Sequence, residues 1–501
     1  MSRAPSPSSR PPGPRLARPA AVAAAIGAVV LAALATGCSL GGDEPATVTL
    51  PELNTTTTTR PEAPSEPSAG PEREPLPVAW IVQVGGPDED RLLALSGADA
   101  AVVAVGDTTR TTAPPPGGTG GTSGAEALVA TIATSGELDS LTASGSAGDD
   151  TARGVAADGT VLTCGATTGD LGATSGGQLD AWCAPLEPDG QLGAASQFGG
   201  ADAEVITGLG SLDGIGTWYA SGTLSGILPG AQDTTGRGLG NGDALMMQLD
   251  VQGRPVWARQ FGTATEDGAL GAAATPDGDG VLAGYTDGDL EGPSKGGRDG
   301  FISRFDPSGN QRWITQLGSS GADTFTAVTT AGEAQRGTEL VIAAGITDAD
   351  VDAEGPALNA GLNDGFVAAV GPDGELDWLT QFGSSFEETV AGVASDGTTV
   401  YVTGSTGDDF GDLLDDGGPG GARDGFLAAI DTLSGEVLWV SRFGSAADET
   451  MTGLAITEDG LLVASGITTG QMGDDPPGGG SDGFVIAFPL AQAGGGAASS
   501  V

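Results

Sequence analysis

Apolar and polar positions along this chain follow a repeating pattern of short alternating runs separated by glycine-rich punctuation, and the pattern returns seven times between Trp80 and Leu490 at steps of 54 to 65 residues. The clearest unit begins at Gly435 and reads GEVLWVSRFGSAADETMTGLAITEDGLLVASGITTG, closing on SDGF. Each unit holds about four runs of four to six β-prone residues bounded by Gly or Asp-Gly, the signature of one meander sheet. Tandem units of this size predict a radially repeated all-β ring, a seven-bladed β-propeller of four-stranded antiparallel blades.

Aligned on their tryptophan, the units start at Trp80, Ser140, Ala194, Trp257, Trp313, Trp378 and Trp439. Three residues on stands Gln or a substitute, then an apolar residue and Gly, as in Gln260-Phe261-Gly262 and Arg442-Phe443-Gly444. A small-residue strand such as Val390–Ala394 follows, then a turn at Asp396-Gly397 and a strand Thr399–Thr403 ending at Gly404. A long Gly/Asp loop leads to Asp424-Gly425-Phe426 and the strand through Ile430; the same triplet recurs at Asp299, Asp364 and Asp482 and survives as Asp180-Ala181-Trp182.

A glycine lies four residues before six of the seven tryptophan positions, where it supplies the positive φ of a tight hairpin. The Asp-Gly-Phe strand and the tryptophan strand are therefore expected to pair as the third and outermost strands of one blade. Trp80 lacks that glycine and no tryptophan strand follows Leu490. The two loose ends are complementary, so Trp80–Val84 is expected to become the outer strand of the last blade and close the ring, covering its edges.

The units resemble the bacterial SBBP β-propeller repeats, with their W-x-x-x-[FL]-G-G…DE…G-D-x-Y-V-T-G-x-T…D-A-F pattern, over about residues 78–490 and best in the last four units. Ala429-Ile430-Asp431-Thr432-Leu433-Ser434-Gly435-Glu436-Val437-Leu438-Trp439 also resembles the tryptophan-docking motif of quinoprotein-like propellers. That second resemblance implies a structural tryptophan wedged between blades. Quinoprotein dehydrogenases usually carry vicinal cysteines, which are missing here, and the SBBP resemblance implies no particular activity.

The ends of the chain are compositionally different. Residues 1–37 read as a lipoprotein signal peptide: four arginines, an apolar stretch from Ala20 to Ala35 too short to span a bilayer, and Ala35-Thr36-Gly37-Cys38, which resembles a lipobox. Cys38 would then carry diacylglycerol and further acyl chain (palmitate-type lipidation), anchoring the chain to a bacterial cell membrane or outer membrane, outside the cytosol. Residues 38–76 are rich in Thr, Pro and Glu and are expected to form a disordered tether. Residues 77–490 form the predicted ring and 491–501 a flexible tail.

Charge and composition narrow the chemistry. The formal net charge is −47 over 501 residues, and signal cleavage removes four positive charges and no acids. Nucleic acid and anionic lipid faces are repelled by such a surface. There is no histidine, which excludes Ser-His-Asp and Cys-His nucleophiles and His-ligated zinc. A carboxylate pair acting on carbohydrate stays open.

Two side-chain patterns qualify as candidates. Five residues after each Phe-Gly-type glycine stands a carboxylate: Asp90, Asp150, Glu204, Asp267, Asp323, Glu388 and Glu449. Their place between the outer strand of one blade and the inner strand of the next predicts an acidic ring at one mouth of the central channel. Each could accept backbone N–H bonds at a blade junction, bind structural Ca²⁺, or meet a cationic or sugar ligand. The loop carrying Asp408, Asp409, Asp412, Asp415 and Asp416 is a second Ca²⁺ candidate, as is the stretch from Asp348 to Glu354. Apart from that ion no cofactor is expected. Cys164 and Cys183 fall on neighbouring strands of one blade and are read either as a disulfide or as two buried thiols. The sequence favours a non-catalytic binding or scaffold module for an envelope protein or polysaccharide. Its rivals are an extracytoplasmic carbohydrate-active enzyme and an envelope-protein assembly factor.

Overall fold

The computed structural model describes residues 76–490, apart from 111–123, 212–215, 229–230, 234–239, 241, 334–337, 352–360, 408–409, 411–420 and 474–477. The chain forms a seven-bladed β-propeller. Seven antiparallel meanders follow one another: blade one from Glu89 to Ser144, two from Asp150 to Phe198, three from Glu204 to Phe261, four from Asp267 to Leu317, five from Asp323 to Phe382, six from Thr389 to Phe443, and seven from Glu449 to Pro489. Blade three departs from the expected four strands, because Gln232–Asp233 adds a fifth, parallel to its outer strand.

Closure is as the sequence predicts. Trp80–Val84 is the fourth strand of blade seven, antiparallel to Asp482–Pro489, with Trp80 opposite Ala487 and Val84 opposite Gly483. The inner strand of each blade packs against the next inner strand around the ring, and the first packs against the last. Gln83 adds side-chain bonds to the same clasp, its Nε2 donating to Asp482 at 2.8 Å and to the Gly470 carbonyl at 3.0 Å.

All seven inner strands carry a bulge at the same place: the pairing slips at Leu93, Arg153, Thr207, Leu270, Thr326, Ala391 and Thr452. Bulges bend a strand and sharpen its twist, which turns the innermost edge around the channel. Directly opposite the residue before each bulge stands a second-strand glycine, among them Gly106, Gly165, Gly284 and Gly404. A Cβ at any of these would collide with the inner-strand carbonyl of Arg91, Thr151, Gly268 or Thr389. The second-strand glycine that recurs in every unit is thus the partner that the bulge requires.

Tryptophans join the blades. The indole N–H on the outer strand of one blade donates to a carbonyl in the hairpin of the next: Trp80 to Thr134 at 2.9 Å, Trp257 to Pro307 at 3.0 Å, Trp313 to Pro372 at 2.9 Å, and Trp378 to Thr432 at 2.9 Å. The hairpin glycines Gly136, Gly309, Gly374 and Gly435 have φ between 70° and 89°. Each lies against the docked ring, where a Cβ would meet indole atoms. Positive φ and the missing side chain are both used, which explains the six-fold recurrence of glycine at this position. Where the tryptophan is lost the contact changes: Gly190 lies against Ser140, and Gly253 against Cys183.

Cys164 and Cys183 are directly opposed on the second and third strands of blade two and form a disulfide within its buried face. Between blades four and five, Arg304 is 4% exposed and holds Asp279 at 2.6 Å, Asp277 at 2.7 Å and Glu339 at 3.1 Å, a charged staple without counterpart in the repeat pattern.

Trp378 is largely buried and bonded to the next blade, so Trp378→Ala is expected to lose about 3–5 kcal/mol in equilibrium denaturation of the full chain. Gly435→Ala should destabilise through the same contact, and the two losses should fall short of additive in a double-mutant cycle.

Candidate functional site

Each blade junction is built around the carboxylate that opens an inner strand. Its oxygen accepts the backbone N–H of the residue four positions earlier, at 2.6 to 2.9 Å: Gly86 to Asp90, Ser146 to Asp150, Gly200 to Glu204, Thr263 to Asp267, Ser319 to Asp323, Ser384 to Glu388 and Ser445 to Glu449. The donor lies in the turn leaving the outer strand of the preceding blade, so the bond pins the crossover between blades. The main chain of the same residue points back to that blade. Glu204 N–H donates to Leu179, Asp267 to Gly242, Asp323 to Arg298, Glu388 to Asn363 and Glu449 to Arg423, at 2.8 to 2.9 Å.

These seven carboxylates therefore do not ring an open channel mouth, as their spacing suggested. Six are fully buried and Asp90 is 7% exposed. They sit at the start of the inner strands, turned into the junction, because the backbone donors there need an acceptor. The central cavity, of about 580 Å³, is lined instead by the far ends of the inner strands, including Leu95, Val155, Leu209, Val328, Val393 and Leu454.

The Asp of the Asp-Gly-Phe triplet completes the junction. In five blades its carboxylate accepts the glutamine three residues after the tryptophan position: Gln83 to Asp482, Gln197 to Asp180, Gln260 to Asp243, Gln316 to Asp299 and Gln381 to Asp364, at 2.8 to 3.0 Å. The same amides clamp the loop between second and third strands. Gln316, for example, gives Nε2 to the Gly288 carbonyl at 3.0 Å and takes the Leu290 N–H on Oε1 at 3.0 Å. Arg442 replaces the glutamine in blade six and reaches Asp424 at 3.6 Å. This Gln–Asp clamp was legible as two recurring residues, but their partnership was not, since more than a dozen residues separate them in sequence.

Two carboxylates thus approach each other over one glycine. Above Gly199, Gly262, Gly318, Gly383 and Gly444, an oxygen of the triplet Asp and an oxygen of the junction carboxylate converge where a Cβ would stand. The pairs are Asp180 with Glu204, Asp243 with Asp267, Asp299 with Asp323, Asp364 with Glu388, and Asp424 with Glu449. Burial pushes the carboxyls of Glu204, Asp267, Asp323 and Glu388 above their ordinary range, the opposing hydrogen bonds pull them back in part, and the like charges of Asp180, Asp243, Asp299 and Asp364 push them further up.

Among the described residues no three His, Cys, Asp or Glu side chains converge as a metal site. Asp408, Asp409, Asp412, Asp415 and Asp416 lie outside the described residues, as does Cys38. Asp348 is described, and its carboxylate caps the Ala322 N–H at 2.7 Å.

No family model matches the chain and no curated protein matches it. Solved structures with a similar course of the chain include Kuenenia stuttgartiensis hydrazine synthase, at 10% identity over 76% of this chain and 94% of that one, with a TM-score of 0.43. The phage phi92 endosialidase matches at 10% identity over 84% of this chain and 70% of that one, TM-score 0.41, and Sqt1 from Chaetomium thermophilum at 10% over 82% and 100%, TM-score 0.41.

A raised folded-state pKa means that the folded protein holds its proton more tightly than the unfolded chain. That stabilisation is complete below the ordinary carboxylate pKa and is lost as pH rises through the raised value. The thermal midpoint is therefore expected to be higher near pH 5 than near pH 8. Glu388→Gln should shrink that difference, which scanning calorimetry at the two pH values reads directly.

Proposed function

We propose that the protein is an SBBP-type surface lipoprotein whose ring serves as a non-catalytic binding or scaffold module for an envelope protein or polysaccharide, held by a lipid on Cys38. A β-propeller is consistent with such a role. The observation that carries the reading is the use made of the repeated carboxylates. Seven recurrent acids, the strongest candidates for chemistry in the sequence, accept main-chain N–H bonds inside the junctions. A glycosidase pair must flank a sugar, and the carboxylate pairs described here are sealed between blades. What the ring offers outward is an acidic surface on a rigid frame.

Lipidation and binding are tested separately. Metabolic labelling with a fatty-acid analogue should mark the wild type, and Cys38→Ala should lose the label and move from the membrane to the soluble fraction. For the ring, crosslinking on intact cells should recover the same envelope partner with wild type and with Glu388→Gln. Turnover of any member of a glycan panel, abolished by one acidic substitution, would replace the scaffold reading by an enzymatic one.

A further inference from the structure

The bulge residues of the inner strands form one level of the channel wall, one from each blade. Leu93, Leu270 and Ala391 are apolar. The three threonines spend their hydroxyls on neighbours: Thr207 donates to the Ala269 carbonyl at 2.6 Å, Thr326 to the Val390 carbonyl at 2.8 Å, and the Thr452 and Ser465 hydroxyls are bonded at 2.9 Å. The remaining position is Arg153, which is exposed and puts a single charge on an otherwise neutral level.

Little holds that guanidinium. Among the arginines whose side chains are described, seven meet a carboxylate and Arg259 donates to three carbonyls. Arg153 has one hydroxyl partner, Thr151, whose Oγ1 accepts from Nε at 3.3 Å. Thr151 lies two residues earlier on the same strand, so the side chain turns back toward the strand's start. The space around this level is about 150 Å³, and no acid lines it. It abuts the central cavity of about 580 Å³ through a shared collar of one aliphatic residue per blade: Leu95, Val155, Leu209, Ala272, Val328, Val393 and Leu454. The acids that line the larger cavity, Asp99 and Glu458, follow the ends of their inner strands and stand at the mouth away from Arg153.

A cavity of several hundred Å³ with an apolar waist and one polar group to fix orientation has the proportions of a small-molecule site. The planar fork of a guanidinium matches a carboxylate, which it can hold through two N–H bonds at once. An inorganic anion such as phosphate has no use for the aliphatic collar and needs more donors than this level offers. A dianion is also opposed more strongly by a chain of formal net charge −47. A monocarboxylate is held by a contact pair, against which distant surface acids count little once salt screens them over about 8 Å. We propose that the axial channel binds a short aliphatic monocarboxylate, its head on Arg153 and its hydrocarbon tail in the Leu and Val collar. This goes beyond the scaffold reading and does not depend on the lipid anchor or on any envelope partner.

The test is a calorimetric titration of the full-length protein with sodium octanoate at neutral pH, in a buffer free of carboxylate and phosphate, with sodium butyrate, octylammonium chloride and sodium phosphate titrated in parallel. Saturable octanoate binding is expected, about tenfold or more tighter than butyrate because the longer tail buries more methylenes. Octylammonium and phosphate should show none. Arg153→Leu, which keeps bulk and removes the charge, should weaken octanoate binding by about tenfold or more, and Arg153→Lys by less, since an ammonium keeps the charge without the fork. Arg153 is exposed and makes one hydrogen bond, so both variants should fold, which circular dichroism checks. Absence of saturable octanoate binding overturns the proposal, as does equal binding by wild type and Arg153→Leu, or equal affinity for butyrate and octanoate. Saturable phosphate binding that Arg153→Leu abolishes overturns it in favour of an inorganic-anion site.

Discussion

The hydrogen bond from a crossover N–H to the carboxylate that opens the next inner strand is the contact on which the ring depends. It occurs at all seven junctions with nearly constant geometry, between 2.6 and 2.9 Å. An N–H left unpaired inside a junction would carry a full desolvation penalty. The acid removes that penalty, but it brings its own charge into a dry site beside the Asp of the triplet. The fold answers with serine and threonine hydroxyls, with glutamine amides, and with a glycine whose missing side chain lets both carboxylates approach. Replacing any one component alters the needs of the others.

A second system acts on the opposite flank of each blade. Indole rings dock on hairpin glycines of the following blade, so that contact runs in one direction around the ring, head to tail. Heterologous contacts of this kind close only when the rotation per unit divides the circle. The bulge in every inner strand supplies a uniform local bend that keeps the rotation regular. The junctions around blade two, which lack docking tryptophans, are where the structure departs from its own rule: a disulfide lies under Gly253, and Glu204 faces a leucine.

Much of this was legible in the chain. The hairpin glycines marked strand ends, and the unmatched first tryptophan strand predicted the clasp with Asp482–Pro489. Position along the repeat also placed the acids at blade junctions. What it could not supply was their burial, because spacing locates a residue on a strand and does not say which neighbour covers it. The acids were expected at a channel mouth and lie inside the wall. The Gln–Asp clamp escaped for a related reason, since its members belong to adjacent strands and meet only after the hairpin forms.

The clasp between Gln83 and Asp482 spans 399 residues of sequence. For a flexible chain, closing a loop of that length carries an entropic cost of about 5 kcal/mol before any constant is added. Blades that have already condensed shorten the effective loop, so assembly has a preferred order: local meanders first, the long-range seal last. Until Asp482–Pro489 has formed, Trp80–Val84 has no sheet to join, and until Trp80–Val84 docks, Asp482–Pro489 keeps a bare margin open to another chain. For this architecture exposure to aggregation begins with the first strand and ends only when the ring is sealed.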